Sequence, residues 1–93
     1  MIASISGFQW SSEESVAYEA AIEAINGAVG AYTARIHAET SKASPDGELV
    51  GQWRERRGEL AKVREGLDPS DHEQIAEVRR RYAGLARQLM EGA

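Results

Sequence analysis

Large apolar residues recur along this chain at alternating steps of four and three. Between positions 18 and 36 they are Tyr18, Ile22, Ile25, Val29, Tyr32 and Ile36, a heptad stripe flanked by the small residues Ala21 and Ala28. That spacing puts one apolar seam on one side of a helix and allows a neighbouring helix to approach closely. The rhythm returns twice. Leu49, Trp53, Leu60, Val63 and Leu67 carry it in a second segment, with Arg56 in the slot between Trp53 and Leu60, and Ile75, Val78, Tyr82, Leu85 and Leu89 carry it in a third. An arginine on such a seam must reach the rim or meet a carboxylate, and Glu39 and Glu59 are the candidates.

Turn chemistry divides the three segments. Pro45 and Pro69 lie in the clusters Ala43-Ser44-Pro45-Asp46-Gly47 and Gly66-Leu67-Asp68-Pro69-Ser70, which end one helix and start the next. Ser11 and Glu14 have the spacing of a capping box, and Asp68 before Pro69 has the pattern of an N-cap followed by proline at the first helical position. The predicted helices cover about 11–43, 47–66 and 69–91, after an apolar tail at 1–10. Asn26-Gly27 and Gly30 are the weak point of the first, because each internal glycine costs about 1 kcal/mol relative to alanine. The unbroken stripe on both sides argues for continuity.

Short connections make consecutive helices antiparallel neighbours. The expected fold is all-α, an antiparallel three-helix bundle whose long first helix overhangs the other two from Ser12 to about Ile22. That overhang, with Val16 and Tyr18, and the tail, with Ile2, Ile5, Phe8 and Trp10, need an apolar cover from the tail itself or from another chain.

Composition narrows the chemistry. The 93 residues include no cysteine and two histidines, so there is no disulfide, thiolate nucleophile or Cys-bound zinc site. Neither His37 nor His72 has a nucleophile or a second ligand at a telling spacing, and no glycine-rich loop joins a strand to a helix. The chain is read as non-catalytic, without metal or cofactor. It lacks the roughly 20-residue apolar run of a membrane span and a basic-then-apolar leader, which points to a cytoplasmic protein.

The net charge is −4, and its distribution says more. Residues 1–50 hold seven acids and two bases, whereas residues 51–93 hold eight acids and nine bases. The arginines of 54–57 and 79–81 point around their helices rather than along one face, so nucleic-acid binding ranks third among the readings. The acidic first helix, by contrast, suits a basic-rimmed protein surface. The candidate partner-binding residues are Phe8, Trp10, Glu13, Glu14, Tyr18, Glu19, Ile22 and Glu23. The alternative is a self-associating helical module, in which two overhangs form a homodimer through Tyr18 and Ile22.

The long acidic first helix with Tyr18 and Glu19, followed by two shorter helices after Pro45 and Pro69, resembles the small acidic three-helix antitoxins of toxin-antitoxin pairs. The similarity is greatest to epsilon-type antitoxins, which neutralise zeta-type kinase toxins. It covers the whole chain as a layout. It implies an inhibitor whose N-terminal helix obstructs the nucleotide-binding site of a kinase-like toxin. The alanine- and arginine-rich composition, with Ile36-His37-Ala38-Glu39, also resembles small helical proteins of high-GC bacteria.

Overall fold

The computed structural model describes residues 12–92. Three helices follow one another: α1 (Ser12–Thr40), α2 (Gly47–Glu65) and α3 (His72–Glu91). α1 runs unbroken for 29 residues through Gly27 and Gly30, so the apolar stripe outweighs the two glycines. It stops at Thr40, where the hydroxyls of Thr40 and Ser41 donate to the carbonyls of Ile36 and His37 at 2.9 and 2.8 Å. Those bonds satisfy carbonyls that a helix end leaves without an amide partner.

The turn into α2 is built around two carboxylates. Asp46 caps α2 by accepting the Leu49 amide at 3.1 Å. Glu39, a buried side chain on α1, accepts the Asp46 amide and the Lys42 ammonium, both at 2.9 Å. The Asp46 amide, and after it Lys42, holds the Glu39 carboxyl below the ordinary glutamate range. Glu39 is thus committed to the turn and does not pair with Arg56.

α2 runs back along α1, with Arg57 donating to Thr33 at 3.0 Å and Arg64 to Asn26 at 2.5 Å. The connection then continues past the end of α2. The expected cap at Asp68 is displaced by three residues: Asp68 accepts the hydroxyl and amide of Ser70 instead, at 2.8 and 3.0 Å. These two bonds lower the Asp68 carboxyl from its ordinary value, with the hydroxyl contributing first. Asp71 becomes the N-cap, accepting the Gln74 amide at 3.1 Å, and α3 begins at His72 rather than at Pro69.

The extra length changes where α3 sits. His72 lies against Glu14, one turn into α1, and Leu89 lies against Arg35 near its other end. α3 therefore runs parallel to α1 over most of its length. The bundle with a long first helix is as expected, but the overhang is narrower: α1 projects beyond α2, and α3 accompanies it almost to its start. α1 is the spine of the molecule, since no Cα of α2 comes within 8 Å of a Cα of α3.

The core follows from this arrangement. Ala21, Ile25, Ala28 and Tyr32 of α1 meet Leu60 of α2 and Ile75, Val78 and Tyr82 of α3. The deepest line on α1 passes through Ala21 and Ala28, not through Ile22 and Val29, which are half-buried. Small side chains let α3 sit close: a Cβ added at Gly27 would come within 3.9 Å of the Ala86 Cβ. In α2, Val50 is buried and Arg57 half-buried, whereas Arg56 is exposed. The α2 seam is therefore turned by part of a residue step from the expected one. Arg35 joins the three helices at their far end: its guanidinium donates twice to the Leu89 carbonyl, at 2.9 and 2.7 Å, and lies 5.8 Å from the Trp53 ring centre.

Candidate functional site

The acidic residues of α1 divide by helical angle. At 100° per residue, Glu19 and Glu23 fall away from the core, Glu14 falls towards it, and Glu13 lies between them on the edge that borders α3. Glu13, Glu19 and Glu23 are exposed and form no ion pair among the described residues. Val16, on the same side as Glu19 and Glu23, is 64% exposed. Glu14 instead meets His72 Nε2 at 2.6 Å, its own side chain 24% and that of the histidine 70% exposed. This pair ties the start of α3 to the first turns of α1, although so open a pair contributes less than about 1 kcal/mol.

The eight expected partner-binding residues are therefore not one surface. Tyr18 is packed against the core, and Ile22 is half-buried. Phe8, Trp10 and Ser11, the expected capping serine, lie outside the described residues. Glu19 and Glu23 share the outward side of α1 with Val16, and Glu13 is exposed at its border with α3.

Two concavities adjoin the helices. The first, about 270 Å³, lies between the starts of α1 and α3, where Ala17, Pro69, Ile75 and Ala76 are bordered by Glu13, Glu14, His72 and Arg79. The second is an open groove of about 390 Å³ between α2 and α3. Tyr32, Leu60 and Tyr82 form its nearly buried floor, with Arg56 and Glu59 on one rim and Arg81 and Gln88 on the other. It exists because α2 and α3 separate on either side of α1. Arg56 and Arg81 make no ion pair there, and Arg81 lies 5.8 Å from the ring centre of its neighbour Tyr82.

Among the described residues, no three His, Asp or Glu side chains converge on a point that could hold a metal ion. None of the described helices is long and apolar enough to cross a membrane. The arginines of the two basic clusters diverge, Arg57 to Thr33, Arg80 to Glu77 and Arg79 to the α1 seam.

Sequence reasoning missed Arg35 and Arg79. Arg35 acts on a backbone carbonyl 54 positions away, for which side-chain spacing carries no signal. Arg79 could have been found from the helical wheel, had α3 been placed beside the start of α1. No family model matches the chain, and no curated protein or solved structure is significantly similar to it.

Proposed function

We propose that this chain is a non-catalytic protein-binding module that regulates or neutralises a partner protein through the outward side of the first turns of α1. The observation that carries this reading is the exposure of Val16, Glu19 and Glu23 on a side of α1 that neither α2 nor α3 covers, with exposed Glu13 at its border with α3. Carboxylates around an apolar anchor are suited to a basic-rimmed surface: the charges steer the encounter and fix register, while the apolar group adds contact energy. The narrower reading, an antitoxin that blocks a nucleotide-dependent toxin, is the case in which these carboxylates occupy a site that accepts phosphate.

The test begins with affinity capture of the partner from the source cells and its identification. Lysine substitutions at Glu13, Glu19 and Glu23 are then compared with wild type by titration calorimetry. The expected result is at least a tenfold loss of affinity that grows at low ionic strength, with helicity unchanged. Equal affinity in the substituted protein removes the reading. If the partner is a nucleotide-dependent enzyme, competition with its nucleotide is the expected signature of the antitoxin form.

A further inference from the structure

α1 and α3 lie side by side and parallel, and their shared outward face has a charge pattern that is complementary to itself. On α1, Val16, Ala20, Glu23, Gly27 and Ala34 fall within an arc of about 60°, with Glu19 on its outer edge. On α3, Ala76, Arg80, Ala83, Arg87 and Met90 fall within an arc of about 80° on the same side of the molecule. One strip of the face is acidic and the other basic, with mostly alanine and glycine between. Val16 and Met90 are the two large apolar residues left strongly exposed among those described, at 64% and 71%, and both lie on this face, towards opposite ends.

We infer that a second copy of this chain covers the face, related to the first by a twofold axis parallel to the helices. That axis brings α1 of one protomer against α3 of its partner at the same height, so the acidic strip meets the basic strip twice. The heights agree. Glu14 stands beside His72 and Gly27 beside Ala86, which places Arg80 between the levels of Glu19 and Glu23. A twofold axis perpendicular to the helices would instead set acid against acid and base against base. Arg80 also pairs with Glu77 on its own helix, yet its side chain remains 73% exposed, leaving donors for a partner's carboxylate.

The size of the face sets the strength. α3 is 20 residues long, and a strip two helices wide and about 30 Å long presents on the order of 600 Å². Stable complexes bury about 800 Å² per partner, so this is a reversible dimer in the micromolar range and not an obligate one. The inference rests on reading the outward side of α1 as the working surface, and it names an occupant for it. A dimer covers the same carboxylates that a different partner would need, so the two associations compete.

Complementary charge reversal tests it. One variant carries E19K and E23K, the second R80E and R87E, and a control carries R56E and R81E in the groove on the opposite side. Sedimentation velocity is run on each from micromolar to about 100 µM at low ionic strength, with circular dichroism to check folding. Wild type and control are expected to dimerise with concentration, and the dimer to weaken with added salt. Each of the first two variants is expected to remain monomeric, and their equimolar mixture to recover a heterodimer, because both contacts are then of opposite charge. A monomeric wild type, or a mixture that stays monomeric, overturns the inference. If that monomer still loses a captured partner on charge reversal of α1, the binding-module reading stands without the dimer. Dimerisation together with partner binding that ignores those carboxylates removes the binding-module reading alone.

Discussion

Arg35 joins all three helices without being in the apolar core, and its geometry decides how it should respond to substitution. Two guanidinium nitrogens share the Leu89 carbonyl while the same group lies over Trp53. Hydrogen bonds to a charged group contribute about 1.5 to 3 kcal/mol, so Arg35→Ala should lower unfolding stability by that amount. Arg35→Lys keeps the charge but not the fork, and should recover less than half; urea unfolding of the two variants decides between fork and charge. Ile25, with no exposed surface, is the apolar counterpart. Ile25→Ala should cost about 2 to 5 kcal/mol, and Leu60→Ala, across from it in the same cluster, a similar amount; losses near zero would refute the core assignment. Glu39 adds a dependence on pH. Its carboxyl is held below the ordinary range by the Asp46 amide and Lys42, so the stabilisation is fully present above the unfolded-state value, roughly 4. It is lost as the pH falls through the folded-state value. Urea midpoints measured between neutral pH and pH 3 should therefore fall less steeply in Glu39→Gln than in wild type.

Helix number, order and the break between α1 and α2 around Pro45 are all readable in the sequence, because capping and heptad spacing are local rules. The start of α3 is not, for a specific reason. Asp68 before Pro69 and Asp71 before His72 both satisfy the capping rule, and what separates them is that Ser70 occupies the Asp68 carboxylate. Three residues then decide whether α3 begins level with the end of α2 or beside Glu14. Rotation about α2 was equally hidden: Arg56 and Arg57 are adjacent, and only the reach of Arg57 to Thr33 shows which of them turns to α1. α2 also offers a prediction of its own. A Cβ at Gly58 would meet nothing within 4 Å, so Gly58→Ala should stabilise α2 by about 0.5 to 1 kcal/mol through helix propensity. The expected rise in melting temperature is about 2 to 8 °C, and a fall would mean that this side of α2 is covered in solution.

At the scale of the molecule, the candidate surface was partly legible. Glu19 and Glu23 are legible from sequence and lie exposed on one side, whereas linear proximity to Glu13 and Glu14 ignores the 120° and 140° that separate those two from Glu19 on the helix. The contribution of α3 to that surface could not be read before its parallel course beside α1 was known. The same course fixes the order of events when the protein opens. α2 and α3 each rest on α1 and make no backbone approach to one another, so either could detach while the other stays seated. Proteins often open in such cooperative units, each with its own free energy. Amide hydrogen exchange should then report two protection classes, one for α2 and one for α3, with the protected amides of α1 following whichever is higher. Arg35 is the exception, since it touches Trp53 and Leu89 together. Its removal should widen the gap between the two classes, so that the domain behaves as two helix pairs, one antiparallel and one parallel, sharing a strut.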